Sequence, residues 1–430
     1  MAKNPLLTFS LFFLLSSLPI SAFGDEFKDL KDQVHAIQQE NQTLREQLEK
    51  QSSVNQEQAK MIQDLAGKIE AIEAKDESLS RGLTELAIPE SLPENDLAVS
   101  VPSLKFNGFA GVKYTVQDEV NAPEANANTF ALGQFDLFVS SQLSEKLSAL
   151  GEIVFEFADN NETVVDVERY VLKYSLDDLW NVEMGRMHLP FGYWLGAYHH
   201  GTWLHTTVGR PLIFEWEDDG GILPMHNIGL QINGSKGFEN FSMKYHMGIV
   251  NGRGETLTKI QHVQDRNDAK AFIASAAVQP LAIEGLELGG SFYADKIPRD
   301  TTVAARNGEI DELIFGGHAV YIHEKVELLA EGVYMLHDDE VSGSTYHTHG
   351  FYLQGAYQWN KWKPYYRMDY LNFGEGDPYY SGQDIDNTKH AVGIRWDPFT
   401  WNAIKFEYAY QEREREDDIH AITLSSDYTF

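Results

Sequence analysis

The chain has 430 residues, 65 acidic against 34 basic side chains, a formal charge of −31 and no cysteine. Missing thiols exclude disulfides, thiolate metal centres and a lipid on an N-terminal cysteine. The acid excess, most of it beyond residue 103, disfavours nucleic acid as a partner.

Residues 1–24 read as a secretory signal peptide. Lys3 supplies the positive start, a short apolar run follows from Leu6 to Ile20, and Ala22-Phe23-Gly24 offers a cleavage site. Residues 25–83 carry a heptad seam: Leu30, Val34, Ile37, Asn41, Leu44 and Leu48, then Ile62, Leu65, Ile69 and Ile72. Between the two halves the core positions are polar, at Gln51, Asn55 and Gln58. Such residues cost stability but set register, and isoleucine at both core positions favours three helices over two. A coiled coil that trimerises the chain is expected there; the alternative is one amphipathic helix folded onto another domain. Residues 84–103, with Pro89, Pro93 and Pro102, read as an extended linker.

From residue 104 to 430 the period changes to two. In residues 401–413, Ile404, Phe406, Tyr408 and Tyr410 oppose Lys405, Glu407, Gln411 and Arg413. In the last strand Ile422, Leu424, Tyr428 and Phe430 oppose Thr423, Ser425, Asp427 and Thr429. Half-apolar strands with aromatics at both ends of the greasy face fit an all-β transmembrane antiparallel barrel, lipid outside and water inside. Starts near Leu104, Thr129, Lys146, Thr163, Leu179, Met225, Gly237, Ala269, Glu284, Glu309, Glu324, Tyr346, Lys361, Asn387, Trp401 and Asp418 give about 16 strands. Short connections alternate with long ones, and an even count places both barrel ends on one side, the periplasmic one. Alternation aims Asp136, Glu152, Glu156, Glu183, Glu327, Glu331, Lys363, Arg367, Asp369, Lys405 and Glu407 at the lumen wall. The acid excess biases an aqueous interior toward cations or neutral solutes.

One connection, residues 189–224, is far longer than the rest. It carries Tyr193, Trp194, His199, His200, Trp203, His205, Arg210, Glu215, Glu217, Asp218 and Asp219. So many rings are poorly placed in bulk water, so the loop is expected to fold into the barrel; packing over the mouth or at a subunit contact is the alternative. His188, His199, His200 and His205 with the neighbouring acids Glu215, Glu217, Asp218 and Asp219 form a donor set for a divalent metal, yet their spacing matches no sharp motif, and such a loop is more often simply a packed polar one. The chain shows no Gly-x-Ser-x-Gly elbow, no His-Glu-x-x-His and no phosphate-cradling glycine loop, so neither an enzyme nor a cofactor is expected.

Phe135-Asp136-Leu137-Phe138-Val139-Ser140-Ser141-Gln142-Leu143, followed by Leu150-Gly151-Glu152-Ile153-Val154-Phe155-Glu156, resembles the first hairpin of porins of the phosphate-selective O/P type. Val182-Glu183-Met184-Gly185-Arg186-Met187-His188-Leu189-Pro190-Phe191-Gly192 resembles the segment that leads into their third loop. A helical extension before the barrel is similar to dicarboxylate-type and siderophore-type porins. Tyr428 and Phe430 resemble the signal read by the outer-membrane assembly machinery. The resemblance implies a homotrimeric sixteen-stranded outer-membrane porin for passive diffusion of small polar solutes, narrowed by its third loop. Its partners would be lipid, other copies of the chain, that machinery and, through the coiled coil, peptidoglycan. The arginine and lysine ladder of phosphate-selective channels is missing, so phosphate selectivity is not expected. A specific channel for a metal chelate or siderophore, and an anchor to the cell wall, are the alternative functions.

Overall fold

The computed structural model describes residues 103–119, 127–157, 162–199, 201–216, 221–257, 264–383 and 386–430. The chain divides into two units, Met1–Ala98 and Val99–Phe430, and all described residues belong to the second. The expected signal peptide, the coiled-coil seam from Leu30 to Ile72 and most of the linker lie outside the described residues.

Period-two patterning yields β1 (Leu104–Glu119), β2 (Ala127–Leu132), β3 (Phe135–Gln142), β4 (Leu147–Phe157), β5 (Thr163–Ser175) and β6 (Asn181–His188). After a long loop containing the single turn of helix α1 (Trp194–Tyr198) come β7 (His226–Gly237), β8 (Phe241–Val250), β9 (Ala271–Pro280) and β10 (Leu286–Ile297). Then follow β11 (Ile310–His323), β12 (Val326–Asp339), β13 (Thr345–Tyr357), β14 (Trp362–Asn372), β15 (Asp386–Phe399), β16 (Asn402–Arg413) and β17 (Ile419–Thr429). β1 pairs along one edge with β2 and then with β3, so these two are halves of one wall strand interrupted at Gly133-Gln134. Sequential pairing is antiparallel, and β17 returns to β1 from Phe109↔Thr429 to Glu119↔Ile419. The result is a closed sixteen-stranded antiparallel barrel, which leaves no sheet edge open.

The exterior is apolar. Phe406 is 50 % exposed and Leu424 49 %, whereas their neighbours Lys405 and Ser425 point inward and are buried. Around the short-turn end Phe106, Trp180, Phe241, Trp359, Trp362, Phe399, Trp401 and Phe430 stand outward. Toward the long-loop end three outward tyrosines pair with histidines: Tyr334 with His347 at 2.7 Å, Tyr366 with His390 at 2.7 Å and Tyr408 with His420 at 2.8 Å. Phe430 stacks on Phe135 at 5.5 Å, and its backbone exchanges hydrogen bonds with Gly108, sealing the closure. Tyr428 faces outward beside it.

The interior differs from a simple polar wall. Leu329, Val333 and Met335 of β12 point inward, together with Tyr293, Ile314 and Tyr352 from nearby strands, and they form one cluster with loop residues. Both faces of β12 are therefore partly apolar.

Candidate functional site: a loop packed inside the barrel

The approach to the long loop is set by two glycines. Gly185 has φ +137°, and a Cβ there would lie 1.9 Å from the carbonyl oxygen of Tyr170. Gly192 has φ +69°, and a Cβ there would lie 2.4 Å from Glu331. Only glycine takes these conformations at low cost. Gly185→Ala is expected to lose about 1–3 kcal/mol through the backbone conformation alone, before the clash is counted. The measurement is the heat-dependent gel shift of the folded barrel, and an unchanged shift temperature would refute the argument.

Beyond Pro190 the loop turns into the barrel. Phe191 lies against Gly316, and Gly192 N–H donates to Ser291 Oγ at 3.0 Å. The N–H groups of Tyr193 and Trp194 donate to Glu331 at 2.6 and 2.9 Å, and the Tyr352 hydroxyl donates to the same carboxylate at 2.6 Å. Trp194 stacks on Phe214 at 5.8 Å, and Leu195, Leu212, Ile213, Ile222 and Leu223 join the wall cluster. Burying these rings and aliphatic chains is the driving force that holds the loop inside.

The loop's polar backbone is then satisfied by inward wall residues. Gly201 N–H donates to Asp136 at 3.2 Å, Val208 N–H to Glu407 at 2.9 Å and Leu212 N–H to Asp369 at 3.2 Å. Thr202 Oγ1 donates to Asp427 at 2.7 Å, and Thr206 Oγ1 to Glu327 at 3.0 Å. Arg367 Nε binds Asp369 at 2.8 Å, while its terminal nitrogens donate to Thr207 Oγ1, Gly209 O and Arg210 O at 2.7–2.8 Å. Lys405 donates to the carbonyls of Thr202 and Thr207 and pairs with Asp427 at 3.1 Å. Lys363 pairs with Glu327 at 3.1 Å, Glu183 with Lys173 at 3.3 Å, and Glu156 accepts from Gln134 at 3.0 Å. Of the eleven positions that alternation aims at the lumen wall, seven (Asp136, Glu327, Glu331, Arg367, Asp369, Lys405 and Glu407) touch the loop directly.

Within the loop, Trp203 stacks on Phe109 at 6.2 Å, and Arg210 lies over Trp194 and Trp216 at 4.8 and 3.6 Å. His205 Nε2 is 2.7 Å from the carbonyl of Tyr198. Burial, with the Lys405 ammonium nearby, holds this imidazole well below its ordinary range, so it is neutral. Glu215 lies 3.9 Å from Lys389. His200, Glu217, Asp218 and Asp219 lie outside the described residues.

His188 and His199 meet, their rings stacked at 3.7 Å, but their third partner is His226 and not His205. His226 was not singled out by sequence. It opens β7 and pairs directly with His188 across the ladder, so the signal was its mirror position at the far foot of the loop. Glu168 also escaped notice. The β4–β5 register slips between Glu152↔Arg169 and Ile153↔Val167, leaving Glu168 as the extra residue of a bulge. Bulges re-aim side chains, and here Glu168 reaches His226 Nε2 at 2.5 Å while Arg169 pairs with Glu152.

Below the loop, toward the short turns, a cavity of about 910 Å³ opens along β1 and β3 to β11. Lys105, Arg169, Lys173 and Lys244 line it against Glu183 and Glu287, and His188 and Tyr193 form part of its roof.

No family model and no curated protein matches the sequence. Solved structures do match the barrel. The anion-selective porin of Comamonas acidovorans is 11 % identical with a TM-score of 0.54, over 76 % of this chain and all of that one. The outer membrane channel DcaP of Acinetobacter baumannii is 8 % identical with a TM-score of 0.53, over 76 % and 97 %. OmpT of Vibrio cholerae in its trimer form is 12 % identical with a TM-score of 0.52, over 76 % and 99 %. At these identities the likeness establishes the fold, a sixteen-stranded barrel of the porin kind.

Proposed function

We propose that the protein is an outer-membrane porin that passes small polar solutes by diffusion, with the inward-packed loop as its constriction. The observation that carries this reading is the inversion of a soluble protein. The closed barrel exposes an apolar, aromatic-rimmed exterior and keeps charged wall residues such as Glu152, Glu312, Arg367 and Lys405 and a 910 Å³ cavity inside. An exterior of that extent requires lipid. Three copies are proposed on the coiled-coil seam and on the trimer form of one structural neighbour. The even number of wall strands, which puts both barrel ends on one side, supports a periplasmic N-terminal segment, and the seam there supports peptidoglycan as a partner.

Composition alone favours cations or neutral solutes. The cavity offers four cationic against two acidic side chains, and the wall carboxylates are engaged by the loop. These opposing fields support weak charge selection, with neutral polar solutes passing best. In planar bilayers the full-length protein is expected to give discrete ohmic steps and a reversal potential near zero in a salt gradient. Absence of steps would overturn the channel, and a strongly anion- or cation-selective potential would overturn the weak selection.

A further inference from the structure

We propose that His188, His199 and His226, with Glu168, form a binding site for a divalent first-row transition-metal ion that ties the loop to the barrel wall. Three imidazoles converge from the end of β6, the residue after α1 and the start of β7, and their donor atoms lie within 4.8 Å of one another. His199 Nε2 and His226 Nε2 are 3.2 Å apart. Two nitrogens on one tetrahedral zinc, each bonded at 2.0–2.1 Å, stand roughly 3.3 Å apart, so this pair already has the separation of co-ligands.

Two further observations point to a cation. The bulge in β5 spends a residue to bring the Glu168 carboxylate to His226, at 2.5 Å. Glu152 stands 3.5 Å from His188 Nε2, and Arg169 pairs with it. Arg210 donates to the His199 carbonyl and stacks on Trp216, which itself packs on His199 and His226. Two carboxylates thus stand at the imidazole nitrogens. Neutral imidazole with carboxylate suits zinc, copper, nickel or iron, and excludes calcium and magnesium, which take oxygen ligands. His188 borders the large cavity, which supplies the entry path.

The test uses full-length folded protein in detergent, stripped with chelator and titrated with Zn²⁺ alone. One ion per chain is expected to bind. His199→Ala and His226→Ala should each weaken binding at least about a hundredfold, and Glu168→Gln about 10–100-fold. His347→Ala, on the barrel exterior, should bind as the parent does. Zn²⁺ should raise the unfolding temperature of the parent and not that of His199→Ala. Absence of saturable binding by the parent, or binding by both histidine variants as tight as the parent's, would overturn the site. Should those variants fail to fold, X-ray absorption on the zinc-loaded parent decides. Three imidazole nitrogens at 2.0–2.1 Å are expected, and an all-oxygen shell would overturn the proposal. The outcome is independent of channel activity, since a closed barrel would bind the ion equally well.

Discussion

Replacing Arg367 with methionine is expected to cost about 3–5 kcal/mol and, in the molecules that still fold, to raise single-channel conductance several-fold. The guanidinium is fully buried, yet it meets one carboxylate, one hydroxyl and two backbone carbonyls in a single plane. Without it Asp369 becomes a buried charge lacking its guanidinium partner, still accepting from Leu212 N–H. The carbonyls of Gly209 and Arg210 lose the same donor. Leaving a buried charge without its counter-ion is the expensive way to break such a pair. The 207–212 segment is held at this point to β14, so its release frees the middle of the loop. Arg367→Lys should recover only part of the effect, because an ammonium is a point charge and cannot repeat the fork. The measurement pairs urea midpoints of the folded barrel with conductance in bilayers. Unchanged conductance in a folded Arg367→Met protein would show that the loop does not obstruct the path.

Leu424→Arg is expected to destabilise the barrel in a bilayer by about 2–4 kcal/mol, the cost of a cation near the middle of the lipid face. Leu424 points outward in the middle of β17, facing Tyr114 on β1 and Phe406 on β16 in the ladder. An exposed position on a water-soluble barrel would tolerate the same change within about 0.5 kcal/mol. Reversible folding into lipid vesicles of defined thickness measures the difference. A value near zero would remove the membrane from the account, and with it the proposed channel. Together the two variants separate wall from loop, since the first acts through an interior contact and the second through the solvent outside.

How much of this was legible in the chain varies from strand to strand. The strand starts read from alternation fall within a few residues of those observed, and sixteen wall strands close the barrel. Side-chain direction in a strand alternates by local geometry, so parity alone oriented Lys405 against Phe406 and Thr423 against Leu424. The break between β2 and β3 and the bulge at Glu168 were hidden, because a one-residue slip leaves no compositional mark. The inward apolar patch on β12 was hidden as well: Leu328 and Leu329 look alike until the loop supplies the second surface.

The class of architecture, a count of about sixteen strands and the inward face of strands such as β16 and β17 follow from the chain's own pattern. These depend on a two-residue period and on turn spacing, both local. Tertiary structure alone decided that the wall acids and bases clamp a loop, and that His226 and Glu168 join His188 and His199. Those contacts join positions tens to hundreds of residues apart, and they exist only once closure of the barrel brings its opposite walls within reach of one segment.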